Sequence, residues 1–384
     1  MSKKLEKFNH KNGDKIIMKS NLDNEKIKNK YFDYLKESEG YAEATITAHK
    51  KAIFRYEEFS NFEDFKNFNK KRAIEYKKWL EEKIDPRTSN KISLTTVYHY
   101  IRNLREFFEW LAIQPTYKSK ILLTDVDYLK LPKKQARIAT SSKREDFPTI
   151  EQIKKAVESI KINSEIDLRD KALLSFTLSS GMRDKAIITL PIGCFVKDRM
   201  QINQDPKFGV QTKFSKTILS YLFRFDEDMV KYFLDWYEYL RTDKFFGNAD
   251  PIFPKNKVIN AENSLSFISN EVEPKFWQSA TSIRDIFKQR FEKAGIKYFS
   301  PHTFRHTAIL TALSKCRNGQ EIKAISQNFG HENVSTTLTA YGTLNQTQMH
   351  ETISGMCFSE DSDNFDDLAQ QIQEILRKKQ KGNF

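Results

Sequence analysis

Cysteine is scarce and poorly placed for structural work. The three present, Cys194, Cys316 and Cys357, are an odd number and lie far apart, so neither a disulfide framework nor a paired CxxC metal site is indicated, and three reduced thiols are expected. Long apolar runs are missing too. No stretch approaches the roughly 18 to 20 consecutive apolar residues that span a bilayer. The opening residues, Met1-Ser2-Lys3-Lys4-Leu5-Glu6-Lys7, lack the apolar core of a secretory signal. A cytoplasmic protein with no membrane partner is the expectation. There is also no internal repeat, and no low-complexity tract beyond an acidic segment near the C-terminus.

What the chain does have is size and positive charge. Its 384 residues exceed one ordinary core, and 39% hydrophobic with 13% aromatic content is ample for packed interiors, so two globular domains are expected. The formal charge of +13 suits a polyanionic partner, because clustered Lys and Arg gain affinity by displacing counterions from a phosphate backbone. A lysine-rich solvated surface accounts for the total equally well. Placement is more telling: Glu360, Asp361, Asp363, Asp366 and Asp367 make the C-terminal segment acidic, which leaves the positive excess in the body of the protein.

Residues 1–20 are polar and lysine-rich, without an apolar period, and read as a basic mobile arm. From 21 to 114 the period is helical. Ile46, His49, Ile53, Tyr56 and Phe59 recur at spacings of three or four, as do Val97, Ile101, Leu104, Phe108 and Leu111, and further helices are predicted over Leu22 to Glu37 and Lys70 to Glu82. A small helical bundle is their natural packing. Residues 115–147, with Leu131-Pro132-Lys133-Lys134 and Ser141-Ser142-Lys143-Arg144, are basic and poor in period and read as an interdomain linker. A second domain over 148–350 opens with a capping box, Thr149 answered by Gln152. In it the pattern predicts a buried helix over Leu168 to Leu178 ended by Gly181, and a short helix from Asp184 stopped by Pro191. Small antiparallel pieces follow at Cys194-Phe195-Val196, Val210-Gln211-Thr212 and Thr217-Ile218-Leu219, then helices over Asp226 to Leu240 and Ser282 to Lys293. Residues 351–384 hold the acidic segment and a final amphipathic helix with Leu368, Ile372, Ile375 and Leu376 on one stripe and reach enough to dock on a second copy.

The chemistry concentrates at scattered positions. Pro301 suits a first helical turn, which places His302 and Arg305, three apart, on one face with Phe304 and Ala308 turned elsewhere. His302 and His306 have zinc-ligand spacing, but no Glu occupies the metalloprotease position and no third ligand is near. Gly330 can take the left-handed conformation that closes a helix over Glu321 to Phe329, so His331 emerges from a tight turn. Ser335-Thr336-Thr337 then offers N-cap hydroxyls for a short helix carrying Tyr341. Taken alone, a tyrosine after threonines is usually core or surface. A phenol with a pKa near 10 needs neighbours that stabilise phenolate and a pentavalent phosphate, and paired arginines do both.

Gly181-Met182-Arg183, His302-x-x-Arg305, Gly330-His331 and Thr336-Thr337 followed by Tyr341, in this order, resemble the signature of the tyrosine recombinase (phage integrase) family over residues about 22 to 345. The resemblance implies a mainly α fold: a helical, SAM-like N-terminal DNA-binding bundle plus a mixed, mostly helical catalytic domain with a small antiparallel sheet. It implies a site-specific recombinase or integrase that cleaves and rejoins double-stranded DNA through a 3′-phosphotyrosyl intermediate, needs no cofactor and no metal, assembles as a tetramer on two recombination sites, and serves a mobile genetic element. Arg183 and Arg305 would clamp the scissile phosphate, His302 would take the tyrosyl proton, His331 would donate to the phosphate, Tyr341 would attack, and Lys213 would protonate the leaving 5′ hydroxyl, with Lys216 as its rival. Two departures stand out. The interval from His331 to Tyr341 is one residue longer than the family usually has, and Ala186 stands where an acidic residue commonly follows the first arginine. The sequence leaves open whether Asp184 takes its place, and does not say which residue orients Arg183. A catalytically silent DNA-binding protein of the same fold, or a type IB topoisomerase-like enzyme, are the competing readings.

Overall fold

A computed structural model of the chain describes residues 21–86, 88–141, 146–257, 270–341 and 353–354. The arm over 1–20, Cys357, the acidic run from Glu360 and the helix expected around Leu368 to Leu376 lie outside the described residues. Two compact units divide between residues 143 and 144.

The first unit is helical: α1 (Leu22–Glu37), α2 (Glu43–Ser60), α3 (Lys70–Glu82), α4 (Leu94–Ala112), α5 (Leu123–Val126) and α6 (Lys133–Thr140). Side-chain oxygens of Asn21, Asn69 and Ser93 cap α1, α3 and α4, accepting from otherwise orphaned first-turn N–H groups. The core is aromatic, with Tyr31, Tyr56, Phe65, Phe68, Tyr76, Phe107 and Phe108 all buried; Phe68 and Phe108 stack at 3.9 Å. The linker reading of 115–147 requires correction. Tyr117, Ile121, Val126, Leu129, Leu131 and Ala139 from that stretch are buried in this core, and α6 packs on α4, because turns and a four-residue helix deliver apolar side chains without a sustained period.

His49 of α2 is buried in this unit, between the Tyr31 hydroxyl at 3.1 Å and Glu106 at 3.5 Å. Burial first, then the Arg102 charge, pulls its imidazole down to about 4, so the folded ring is neutral near pH 7 and its approach to Glu106 is not an ion pair. The unfolded chain, with an ordinary histidine near 6.5, takes up the proton first. Stability is therefore greatest above pH 6.5 and is lost as pH falls toward 4, by on the order of 2 kcal/mol from this one group. Denaturant unfolding between pH 7 and 4 should show a shallower acid slope for His49→Gln than for the parent; equal slopes would remove His49 as the cause.

The second unit contains α7 (Ile150–Glu158), α8 (Glu165–Ser180), α9 (Asp184–Ile188), β1 (Phe195–Val196), β2 (Gln201–Gln204), β3 (Ile218–Tyr221), α10 (Glu227–Thr242), β4 (Lys255–Asn256), β5 (Val272–Glu273), α11 (Ala280–Lys293), α12 (Pro301–Leu313), α13 (Gly319–Asn328) and α14 (Val334–Tyr341). The Thr149–Gln152 capping box is formed. Helix α8 is buried along most of its length, against α7, α10 and α12. Its hydroxyls make this tolerable: Ser175 and Thr177 donate to carbonyls one turn back, at 2.8 and 2.7 Å.

The small sheet runs β1-β2-β3, antiparallel throughout. Its membership corrects the sequence reading. The expected strand at Val210–Thr212 does not form: Val210 is 1% exposed and fills core space, but the Gln211 N–H donates to Thr189 Oγ1 and the Thr212 N–H turns back to the Val210 carbonyl. The partner strand is instead polar Gln201–Gln204, whose buried Gln204 amide donates to Ser220 Oγ across the β2–β3 pair at 2.9 Å. No helix among the described residues is long and apolar enough to cross a membrane.

Candidate active site

Three turns of the second unit meet around one guanidinium. Helix α8 ends at Gly181, whose φ of +54° is left-handed, and a Cβ there would come 2.2 Å from the Phe329 ring. Only glycine satisfies both the conformation and the approach. Arg305, on the second turn of α12, is 3% exposed. Its Nη1 donates to the Gly181 carbonyl at 2.8 Å, and its Nη2 to the Phe329 carbonyl at 2.6 Å; the guanidinium also lies over the Phe329 ring, 5.1 Å from its centroid. The Nη2 further meets His331 Nε2 at 3.0 Å. These three acceptors are uncharged, so they aim the fork without cancelling its charge.

His331 is delivered by Gly330, left-handed at φ +69° as expected; a Cβ on Gly330 would lie 2.5 Å from Ile218 of β3. Burial first, then the positive charges of Arg305 and Arg183, pulls the imidazole down to about 4. Arg183, the N-cap residue of α9, is one of the two charges that act on this ring. Strand β3 is fastened beside the turn by Asn328, whose side-chain amide accepts from the Tyr221 N–H at 2.7 Å and donates to the Tyr221 carbonyl at 3.0 Å.

The other anticipated residues are placed less centrally. His302 is exposed at the start of α12, its ring 5.5 Å from that of His306, while Arg305 turns inward with Phe304 and Ala308. His302 and Arg305 thus do not share the common face expected of them, whereas Phe304 does turn elsewhere, packing on Phe287 and Phe291 of α11. Among the described residues no group of three His, Cys, Asp or Glu could hold a metal ion. Lys213 begins a single tight turn between β2 and β3, where Phe214 and Ser215 are both left-handed. Lys216, at the end of that turn, pairs with Glu332, the neighbour of His331. The Asp184 carboxylate receives both Nε and Nη2 of Arg284, at 3.0 and 2.5 Å. Tyr341 is the last residue of α14; its side chain lies outside the described residues. That helix already begins at Val334, so Ser335, Thr336 and Thr337 sit inside its first turn and are not N-caps.

Residues the motif did not single out complete the pocket: Phe329, through its carbonyl and ring, and Ser326 of α13. Only their proximity in the fold identifies them. Gly181→Ala tests the junction. The strained φ and the collision with Phe329 should together lower stability by about 2 kcal/mol or more and displace the Phe329 carbonyl from Arg305. A denaturation midpoint within about 0.5 kcal/mol of the parent, a typical surface-mutation effect, would mean the contact relaxes freely.

A family model described as the phage integrase family matches residues 146–348. Among characterised proteins, a tyrosine recombinase XerD of Oceanobacillus iheyensis is 22% identical over 315 residues, covering 80% of this chain and 90% of that protein. A tyrosine recombinase of Thermosipho africanus is 24% identical over 320 residues, covering 82% and 93%. Of solved structures, a lambda integrase dimer bound to a COC′ core site matches with TM-score 0.56 at 12% identity, over 88% of this chain and 99% of that one. XerH bound to a palindromic difH substrate matches with TM-score 0.54 at 15% identity, over 85% and 84%. At these identities the structural likeness establishes the fold.

Proposed function

Because the chain belongs to the phage integrase family of tyrosine-type site-specific recombinases, we propose that its Arg183, Arg305 and His331 bind the scissile phosphate of double-stranded DNA and that Tyr341 attacks it. The carrying observation is the buried Arg305 guanidinium, aimed by two main-chain carbonyls and an imidazole nitrogen. Planar, permanently charged and preorganised, such a fork holds two phosphate oxygens at once and stabilises the charge that builds in a pentavalent transition state.

The step balances without an external energy source. Tyr341 Oη forms a bond to phosphorus as the P–O5′ bond breaks, giving a 3′-phosphotyrosyl link and a 5′ hydroxyl. The tyrosyl proton goes to His302, whose exposure at the start of α12 leaves it open to solvent exchange, and Lys213 supplies the proton to the departing oxygen. A 5′ hydroxyl from a partner strand then reverses the attack, so bond energy is kept. Four protomers on two sites would exchange strands in pairs. The positive excess of the chain supplies sequence-independent affinity for the duplex. We place the protein in the cytoplasm, acting for a mobile element. The test is a nicked suicide substrate carrying the DNA recovered from cells with the protein: a protein-linked band on a denaturing gel supports the assignment, and its absence on every recovered site refutes it.

Lys213 and Lys216 are separable by chemistry. Lys216 is held by Glu332, whereas Lys213 is on the exposed side of the turn. A substrate with sulfur in place of the leaving 5′ oxygen needs no proton on departure. Lys213→Ala should be slow on the normal phosphate, by roughly 10²-fold or more, and recover on the phosphorothiolate; recovery by Lys216→Ala alone would exchange the two roles.

A further inference from the structure

Ser326 and Thr337 have no part in the chemistry outlined above, yet both are polar and fully interior, at 1% and 0% exposed, and both bond toward His331. The Thr337 hydroxyl donates to Ser326 Oγ at 3.0 Å, which commits its one proton. Its contact with His331 Nδ1, at 2.7 Å, must then run the other way, with Nδ1–H donating. The opposite nitrogen, Nε2, faces Arg305 Nη2 at 3.0 Å. A guanidinium has donors only, so Nε2 presents its lone pair. Both ends of the ring thus demand the same tautomer. The same serine also fixes the turn, its carbonyl accepting from the His331 N–H at 3.0 Å.

We propose that Thr337, backed by Ser326, is a positioning residue that locks His331 in its Nδ1–H tautomer and turns the Nε2 lone pair onto Arg305, so that the imidazole helps to aim the clamp before DNA arrives. The inference rests on the recombinase reading of the site. It has two consequences for the chemistry. When a phosphate anion offsets the surrounding positive charge, the only ring nitrogen able to gain a proton is Nε2, because Nδ1 already carries one; Thr337 therefore decides which nitrogen becomes a donor to the phosphate. Thr337 also stands four residues before Tyr341 on α14, so the same hydroxyl ties the nucleophile's helix to the clamp.

The tautomer is read directly by NMR of the full-length protein carrying ¹⁵N-histidine, without DNA, with the His331 signals identified by their loss in His331→Gln. The parent should show a protonated Nδ1 and an unprotonated Nε2. Thr337→Val keeps the shape but leaves the Nδ1–H without an acceptor, a costly state for a buried donor, so the ring should leave Arg305 and populate both tautomers. Thr337→Ser should restore the parental pattern. Ser326→Ala offers a second route: it frees the Thr337 proton, which can then donate to Nδ1 and admit the Nε2–H form once the ring turns away from Arg305. Cleavage of nicked site DNA should fall about 10²-fold in Thr337→Val, the order expected for a misplaced catalytic group, and return to within a few-fold in Thr337→Ser. An Nε2–H tautomer in the parent, or a Thr337→Val protein that keeps the parental tautomer whatever its activity, overturns the proposal. A parent with the Nδ1–H tautomer that forms no adduct on any recovered DNA site refutes the recombinase reading and leaves the lock in place.

Discussion

Tyr341→Phe should bind its DNA site with parental affinity and form no covalent adduct. The substitution removes one oxygen and keeps the ring, so the side chain's shape is retained while the proposed nucleophile is gone. The imidazoles and guanidiniums of the site cannot form the stable phosphodiester link that a phenol forms. The loss should therefore be complete within detection, not a rate reduction of a few powers of ten. A denaturing gel of protein and nicked substrate, beside a gel shift for binding, separates the two functions. A protein-linked band from the Phe variant would mean that the nucleophile is elsewhere. The extra residue between His331 and Tyr341 makes this the most informative single substitution.

Arg305→Lys carries the second large effect. Charge is preserved, yet a single ammonium cannot reach the Gly181 carbonyl, the Phe329 carbonyl and His331 Nε2 in the planar arrangement that the guanidinium spans. At least one of these interior acceptors is then left without its donor, which costs about 1–3 kcal/mol of stability. Cleavage should fall by roughly 10² to 10³, as when one preorganised stabilising donor is removed from other active sites. Measured well below the unfolding transition, the rate loss should exceed anything attributable to unfolded protein. Cleavage within a few-fold of the parent would take Arg305 out of the clamp. Arg183→Lys provides the comparison: Arg183 is only partly buried, so its substitution should slow cleavage with a smaller cost in stability.

The legible parts of this fold were those where local rules and tertiary packing agree. Helices α1 and α3 run as the periodicity predicted, and the glycines at 181 and 330 adopt the left-handed conformations that helix ends favour. Legibility failed where packing overrides period. Tyr117 to Ala139 belong to a core although no helical stripe marks them, and the polar strand Gln201–Gln204 is held by pairing and a buried amide–hydroxyl contact that no β-propensity scale reveals. At the site, the order of the motifs and the resemblance it carries singled out Arg305 and His331, and the fold brings their side chains together. Ser326 was invisible, since a serine within a helix has no feature of its own until the fold brings Thr337 and His331 to it. The Arg284–Asp184 contact was equally hidden, since its two residues stand 100 positions apart.

Arg305 reaches back 124 positions to Gly181 and ahead 24 to Phe329, and this has a bearing on synthesis. The chain leaves the ribosome N-terminus first, so the helical first unit and Gly181 emerge well before Arg305, Phe329 and His331. A nascent chain stalled short of residue 305 has Gly181 and Arg183 but no second guanidinium. One stalled short of 341 has the guanidinium but no phenol. On the proposed roles, an unfinished or prematurely terminated copy lacks part of the catalytic set, and cleavage would require a chain complete through Tyr341.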